Sequence, residues 1–178
     1  MNVEPKNPGS VFLIGFRCTG KSSVGRQLAA KLGWPFVDTD TLLVSERRMS
    51  IKEIVASHGW QAFRKMEQGV VEQVCLLDRR VVATGGGVVL SEASLYLMKK
   101  SGRLVWLKAL PETIKARMML DPASEAFRPT LSSKDRLAEI EETLIERDPV
   151  YRQAMDFEVD TDGRQIDEIC DTILEQLN

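Results

Sequence analysis

The stretch Gly15–Ser22, which reads GFRCTGKS, constrains the fold of this chain more than any other. It follows four apolar residues, 11–14, and opens a segment, 24–32, in which apolar residues recur with helical spacing. A glycine-rich turn between a strand and a helix directs backbone N–H groups and the positive end of the helix dipole at an anion. Lys21 would reach the outer phosphates of a nucleotide, and the Ser22 hydroxyl would bind Mg²⁺. The stretch therefore predicts a phosphate-binding loop, the P-loop, rather than an ordinary turn before a surface helix.

Apolar runs typical of buried strands alternate along the chain with segments of helical periodicity. The runs lie at 11–14, 34–37, 81–83, 103–107 and 157–159. Helical crossovers of this kind connect parallel strands and cover both faces of their sheet. The 178 residues, 43% of them hydrophobic, suffice for one buried core. The sequence therefore predicts a single α/β domain over residues 1–178, with a five-stranded parallel sheet and helices on both faces.

Two segments in the second half of the chain predict a loop followed by a long helix. Residues 121–133 are rich in Asp, Pro, Ala and Ser, which is typical of a mobile loop. Apolar residues between 137 and 145 predict a long helix, which Pro149 is expected to end. Arg147 would then lie near the C-terminal end of that helix, where a cation is favourable for the dipole. A ligand-binding role for Arg147 is compatible with that position.

Charge and cysteine usage restrict the partners of the chain. A net charge of -2 and an isoelectric point of about 5.6 disfavour nucleic-acid binding, which relies on excess positive charge. No apolar run approaches the length of a membrane span. The three cysteines, Cys18, Cys75 and Cys170, are scattered without metal-ligand spacing, as expected of reduced thiols in a cytoplasmic protein. Because no long unexplained apolar stripe stands out, a monomer is expected.

Asp38 and Asp40 follow the second apolar run. Side chains at the carboxyl end of a strand beside a P-loop face the ligand crevice of a parallel sheet. One carboxylate could face a metal ion and the other a substrate hydroxyl. The alternative is that Asp40 N-caps the helix that follows. Since His58 is the only histidine, Asp40 is the candidate base for an attacking hydroxyl, although orienting that hydroxyl could suffice.

Two further features have both a functional and a plain structural interpretation. Arg64 and Glu67 are spaced i, i+3 on a predicted helix, so the carboxylate can hold the guanidinium in place. Such a pair on its own is more typical of a solvated surface. Thr84 precedes three glycines, 85–87, which allow a close approach of backbone to ligand but would also suit a simple turn.

Together these segments resemble shikimate kinase, a family of P-loop small-molecule kinases with a fold like that of nucleoside monophosphate kinases. The resemblance runs from about residue 10 to the C-terminus and rests on motifs in a fixed order. They are Gly15–Ser22, Phe36–Asp40, Phe63–Glu67, Thr84–Gly87, Arg128–Pro129 and Arg147–Tyr151. One alternative is another P-loop kinase, of the gluconate or nucleotide type, which does not share this set. The other is a non-catalytic kinase-like ligand-sensing module, which would bring degraded catalytic positions or a DNA-binding segment.

The resemblance implies phosphorylation of the 3-hydroxyl of shikimate by ATP with Mg²⁺, a step of aromatic amino-acid biosynthesis. The ATP-binding residues in and after the loop would be Gly15, Arg17, Cys18, Thr19, Gly20, Lys21, Ser22 and Ser23. Ser22 and Asp38 would hold the Mg²⁺ ion, Asp38 through water. Arg117 and Arg164 match positions that contact the nucleotide.

The resemblance also implies a substrate region of about residues 38–68 and a lid of about residues 118–133. Asp40 would bind the shikimate hydroxyls, including the one that is phosphorylated. Lys21, Asp40 and Arg128 would form the catalytic set, with Arg128 on the lid reaching the transferring phosphate.

The carboxylate of shikimate would be bound by Arg64 and Arg147, because the rigid fork of arginine suits a carboxylate. Gly86 and Gly87 would pack under the ring. Trp60 stands where members of the family often carry an acidic residue.

Overall fold

The computed structural model describes residues 9–121 and 136–177. Five strands form one parallel sheet in the order β2-β3-β1-β4-β5. The strands are β1 (Ser10–Ile14), β2 (Phe36–Asp38), β3 (Val81–Ala83), β4 (Gly102–Lys108) and β5 (Phe157–Asp160). The predicted α/β class and the five-stranded parallel sheet are confirmed.

Seven α-helices connect and cover the strands within the described residues. They are α1 (Lys21–Leu32), α2 (Thr39–Arg47), α3 (Ile51–Cys75), α4 (Glu92–Ser101), α5 (Pro111–Leu120), α6 (Arg136–Ala154) and α7 (Ile166–Leu177), with one 3-10 turn at Val88–Leu90. Gly59 interrupts α3 with φ 78°, so that its two halves are separate helical segments. None of the helices in these two ranges has the length and apolarity needed to span a membrane.

The two faces of the sheet carry separate apolar cores, because successive side chains of a strand point to opposite faces. Phe12 and Ile14 of β1 pack into one core, beneath α3, α4 and α6. Val11 and Leu13 pack into the other, beneath α1 and α7. This two-sided burial explains why the strands read as continuous apolar runs.

The carboxyl ends of β1, β2 and β3 lie side by side, and this edge positions the residues with candidate functions. Ala83 is aligned with Leu13 on one side and with Asp38 on the other. Beyond the strand ends, the backbone N–H of Gly85 donates to Thr39 Oγ1 at 3.1 Å. The P-loop, the start of α2 and the glycine-rich segment after β3 therefore meet at one place.

The expectation that a helix ends near Pro149 is wrong. α6 continues through Pro149 to Ala154, so Arg147 lies within the helix and the dipole argument for it does not apply. A proline inside a helix costs about 3 kcal/mol, since it removes one hydrogen bond and crowds the preceding turn. Tyr151 and Ala154, which follow it, are 0% and 2% exposed in the core, and burying side chains of this kind offsets that cost.

Candidate active site

The P-loop connects β1 to α1 through backbone conformations that favour glycine. Gly15 has φ 139° and Gly20 has φ 98°. A Cβ at Gly15 would collide with the carbonyl oxygen of Leu107 on β4. Gly20 is the N-cap residue of α1, and no side chain caps this helix. The N–H groups of the first turn are therefore left for an anion.

Lys21 holds its ammonium group against the loop. Its Nζ donates to the carbonyl oxygen of Gly15 at 2.8 Å and to that of Phe16 at 2.6 Å. The side chain is buried, with 7% of its surface exposed. A buried ammonium needs such partners, and an incoming phosphate would satisfy the same requirement.

Ser22, in the first turn of α1, and Asp38, at the end of β2, are in direct contact. Ser22 Oγ donates to Asp38 Oδ2 at 2.6 Å, and the Thr41 backbone N–H donates to Asp38 Oδ1 at 3.1 Å. Asp38 is thus the N-cap of α2, and the interpretation in which Asp40 caps this helix is wrong. The cap lies two residues before Asp40, because α2 begins at Thr39. Asp40 lies in the first turn of α2 and does not cap it.

A cavity of about 600 Å³ opens beside the P-loop. Its lining residues from the loop and α1 include Cys18, Gly20, Lys21, Ser22 and Ser23. Asp38 and Asp40 line it from the opposite side. The structure thus brings most of the residues predicted to bind ATP phosphates, and both aspartates, to one space.

A second cavity of about 250 Å³ adjoins the first, and Asp40 lines both. Arg64 from α3 and Arg147 from α6 line this smaller cavity together, although they are far apart in the sequence. Gly85, Gly86 and Gly87 form part of its wall. The two arginines and the glycine segment thus lie at one pocket, and Arg17 joins them there.

Arg64 is held on several sides. Arg64 Nη1 pairs with Glu67 Oε2 at 2.6 Å, and its Cζ lies 5.2 Å from the ring centroid of Phe63. A Cβ at Gly87 would come within 2.6 Å of Arg64 Cζ, so only glycine allows the backbone to pack against the guanidinium at this point. The side chain of Arg64 is nevertheless 30% exposed, which leaves donors within reach of a ligand.

Glu67 is a buried carboxyl group, not half of a solvated surface pair. It is 3% exposed, and its Oε1 has no hydrogen-bond partner among the described residues. Burial raises the pKa of Glu67; the guanidinium of Arg64 opposes this shift, and the carboxylate of Asp40 adds to it. A Cβ at Gly85 would lie 2.5 Å from Glu67 Oε1 and 2.9 Å from Asp40 Oδ1, so this glycine lets the two acids approach the loop.

We expect the wild-type chain to lose stability relative to a Glu67→Gln variant as the pH rises above 4.5, the ordinary pKa of the group. Since the folded-state pKa is raised, the stabilisation from proton binding is complete below the unfolded pKa. It is lost as the pH rises through the folded pKa, with a slope of up to about 1.4 kcal/mol per pH unit. Urea unfolding of both proteins between pH 4 and pH 8 measures the difference in free energy of unfolding.

Glu53→Gln is the matched control for this measurement. The backbone N–H of Ser50 lowers the pKa of the exposed Glu53, so its contribution is present above the unfolded pKa and is lost as the pH falls. Its pH dependence should therefore have the opposite sign and lie at lower pH. A difference between wild type and Glu67→Gln that does not vary with pH would contradict the assignment of a raised pKa to Glu67.

Arg147 and Tyr151 share one acceptor, the carbonyl oxygen of Gly86. Tyr151 Oη donates to it at 2.5 Å, and Arg147 Nη1 at 3.4 Å. Tyr151 is fully buried and stacks on Trp106, with 5.5 Å between ring centroids. Burial raises the pKa of Tyr151 to about 12, so the hydroxyl keeps its proton. Tyr151 thus fixes the glycine segment at the point that Arg147 also contacts.

The two arginines matched to nucleotide contacts lie near the loop after β5. Arg117 donates to Thr161 Oγ1 at 3.0 Å and to the carbonyl oxygen of Cys18 at 3.3 Å, so it connects this loop to the P-loop. Arg164 donates to Thr172 Oγ1 at 2.6 Å. Their roles toward a nucleotide stay predictions. Arg128 and the lid positions 122–133 lie outside the described residues, and the lid positions before them belong to the last turn of α5 and to Asp121.

The sequence indicates neither the burial of Glu67 nor the role of Tyr151. The burial of Glu67 could not be read from its i, i+3 spacing, because surface pairs show the same pattern. Tyr151 has the signal of lying one helical turn after Arg147, on the same face of α6. That spacing places it near the pocket but does not identify the Gly86 carbonyl as its partner.

The fold and the site define an ATP-dependent kinase of the P-loop class that acts on a small molecule. The family model for shikimate kinase matches residues 17–178 of the chain. A shikimate kinase from Moorella thermoacetica is 39% identical over 170 residues, which cover 96% of this chain and 95% of that protein. The chain belongs to the shikimate kinase family.

Solved structures agree with this assignment. A shikimate kinase from Acinetobacter baumannii, solved in complex with shikimate, superposes with a TM-score of 0.90 at 27% identity, covering 97% of this chain and 94% of that one. A gluconokinase from Sinorhizobium meliloti superposes with a TM-score of only 0.59 at 19% identity, covering 96% of this chain and 91% of that one. The second likeness shows the shared fold alone, so the comparisons favour the shikimate kinase family over the gluconate type.

Proposed function

We propose that this chain transfers the terminal phosphoryl group of ATP to the 3-hydroxyl of shikimate, giving shikimate 3-phosphate and ADP. The observation that carries the proposal is the pair of adjoining cavities. One is built around the P-loop, the other contains Arg64 and Arg147, and Asp40 lines both. A hydroxyl beside Asp40 would therefore lie between the nucleotide phosphates and a site for a small carboxylate.

Phosphoryl transfer depends on positioning and charge neutralisation more than on covalent chemistry. In this proposal Lys21 and the first-turn N–H groups of α1 bind the ATP phosphates. Arg64 and Arg147 bind the shikimate carboxylate and thereby orient the ring. Asp40 accepts a hydrogen bond from the 3-hydroxyl and takes its proton, or orients it, as the phosphoryl group transfers. The assignment of Arg128 to the transferring phosphate rests on the resemblance.

The residues at the P-loop suit Mg²⁺, which prefers oxygen ligands and keeps several waters and phosphate oxygens in its shell. The Ser22 hydroxyl and the Asp38 carboxylate stand 2.6 Å apart on the wall of the larger cavity. Groups of three or more metal-ligating side chains are not found in the described ranges, so these two oxygens would share the ion with phosphates and water. When bound, Mg²⁺ neutralises phosphate charge.

We further propose a cellular compartment, a set of partners and an oligomeric state for the enzyme. Three free cysteines suit the reducing cytoplasm, and a net charge of -2 does not favour nucleic acid as a partner. The partners are then ATP and shikimate, and the working unit is a monomer. A cavity of about 250 Å³ for the acceptor favours a small ring acid over a nucleoside monophosphate.

The direct test measures ADP release with ATP and Mg²⁺ against shikimate, gluconate, AMP and CMP in parallel. We expect turnover on shikimate and none above background on the other three. Turnover on a nucleoside monophosphate or on gluconate, without turnover on shikimate, would overturn the proposal. Binding of shikimate with no turnover on any acceptor would instead support a ligand-sensing module.

Nucleotide binding should protect Cys18 from alkylation. Cys18 lines the phosphate cavity, whereas burial raises the pKa of Cys75 and raises that of Cys170 to about 11. Iodoacetamide should therefore modify Cys18 first. MgATP at ten times its Kd should slow that modification about tenfold, because only free protein reacts. Peptide mapping by mass spectrometry measures the rate at each thiol.

Shikimate alone serves as the control, because Cys18 does not line the smaller cavity. It should leave the rate at Cys18 unchanged. An equal rate with and without MgATP would place the nucleotide elsewhere.

A further inference from the structure

Trp60 is a large apolar side chain that the proposed mechanism does not use. It opens the second half of α3, directly after Gly59, whose φ of 78° separates the two halves. The indole is 52% exposed, although a tryptophan is highly buried in most folded proteins. Trp60 also lines the cavity that contains Arg64 and Arg147.

The contacts of Trp60 are directed at the acid-binding residues. Its ring centroid lies 5.6 Å from Arg64 Cζ, within the range of a cation–π interaction. It meets Phe63 edge-on, with 5.8 Å between centroids and 84° between planes. Phe63 is itself buried, with 4% of its surface exposed, and therefore anchors one edge of the indole. Trp60 is thus held beside the guanidinium while about half of its surface stays open.

We propose that Trp60 sets the affinity and selectivity of this pocket for a ring acid, by covering Arg64 and by packing against the apolar part of the bound ring. This inference rests on the proposed function, because it concerns the acceptor of that reaction. An indole beside Arg64 reduces the access of water, and an ion pair between a guanidinium and a carboxylate strengthens as water is excluded. The exposed half of the indole supplies apolar surface that a cyclohexene ring would bury.

A purely structural role for Trp60 predicts something different. A tryptophan that only stabilised α3 would be expected to be buried on most sides, and its loss would lower the free energy of unfolding without affecting one substrate selectively. Trp60 is instead half exposed, lines a cavity and contacts Arg64, a cation that lines the same cavity. The two roles are separable by kinetics.

The test compares Trp60→Ala with the conservative Trp60→Phe. Loss of the cation–π contact and of the packing surface, about 1.4 kcal/mol, corresponds to a tenfold change in binding. We therefore expect Trp60→Ala to raise the KM for shikimate about tenfold, with the KM for ATP unchanged and kcat changed less than threefold. Trp60→Phe should restore the KM for shikimate to within about threefold of wild type. An unchanged KM for shikimate in Trp60→Ala, or an equal rise in both KM values, would overturn the inference.

Tryptophan fluorescence supplies a second readout that helix stability alone would not move. Of the three tryptophans, Trp106 is buried in the core and Trp34 packs on the opposite face of the sheet. Shikimate added without nucleotide should change the emission of the wild-type protein. The Trp60→Phe variant should lose most of this change while calorimetry still detects binding. The full change persisting in Trp60→Phe would contradict contact between Trp60 and the ring.

The outcomes separate this inference from the proposed function. A wild-type protein that neither binds nor phosphorylates shikimate overturns both. A wild-type protein that does so, with a Trp60→Ala variant of unchanged KM, overturns only the role of Trp60.

Discussion

Replacing Asp40 by asparagine is expected to lower kcat by about 10²- to 10⁴-fold, the range of a general acid–base contribution. The substitution keeps the shape of the side chain, so the KM for ATP should change little. Asp40 lines both cavities, and Asp38, not Asp40, caps α2. Asparagine at position 40 therefore leaves the helix start intact and removes only the charge and the proton acceptor. Steady-state ADP release with saturating shikimate and ATP measures the effect.

Asp78→Asn is the matched control for this change. Asp78 is exposed and lies between α3 and β3, at the opposite edge of the sheet from the P-loop. Its substitution should leave kcat within about twofold of wild type, as is typical of surface positions. If Asp40→Asn retained wild-type kcat, Asp40 would not act as a base, because asparagine keeps an oxygen that can orient the hydroxyl but cannot take its proton.

Replacing Arg147 by leucine is expected to raise the KM for shikimate by about 30- to 5000-fold, with the KM for ATP unchanged. Breaking a charge-assisted pair in a partly buried site costs about 2 to 5 kcal/mol. The glycine segment should keep its position, because Tyr151 donates to the Gly86 carbonyl at 2.5 Å independently of Arg147. The kinetic split between the two substrates separates loss of a ligand contact from general disruption of the site.

Arg152→Leu is the control on the same helix. Arg152 is 61% exposed and lies over Trp106 and near Glu158, away from the cavity. Its loss should leave both KM values within about twofold of wild type.

Combining Arg147→Leu with Arg64→Leu adds a further check, since two groups that bind one carboxylate should show non-additive effects. Fully additive effects would indicate that the two arginines do not share a ligand.

The fold could be predicted from the sequence because its strands are buried on both faces. The runs that contain Phe12, Val82 and Val105 have the continuous apolar character of central parallel strands, and the P-loop fixes the order of strand, turn and helix. The register of the sheet and the meeting of the strand ends follow only from three-dimensional packing. The sequence therefore predicts which strands and helices exist, and the structure shows which residues these elements bring together.

The end of α6 could not be predicted from Pro149, because local propensity and tertiary burial oppose each other there. Proline is a helix-breaking residue by itself, but Tyr151 and Ala154 beyond it pack into the core. The cap of α2 was ambiguous for a similar reason. Asp38 and Asp40 are equally good N-cap types, and only the position at which the chain turns distinguishes them.

The sequence predicts which residues belong to the candidate site, but it does not predict the contacts that these residues make. Arg64 and Arg147 were identified as a pair through the resemblance, and the structure places them in one cavity. The burial of Glu67 and the packing of Gly87 against Arg64 depend on distances between segments far apart in the chain. No periodicity or spacing encodes such distances, so these contacts appear only in the folded protein.

A crystal structure of the chain with shikimate, ADP and Mg²⁺ would show whether one small acid binds between two arginines beside the P-loop. We expect the shikimate carboxylate within hydrogen-bond distance of both Arg64 and Arg147, with a ring hydroxyl beside Asp40. A shikimate bound with its carboxylate away from either guanidinium, or with no hydroxyl near Asp40, would contradict it.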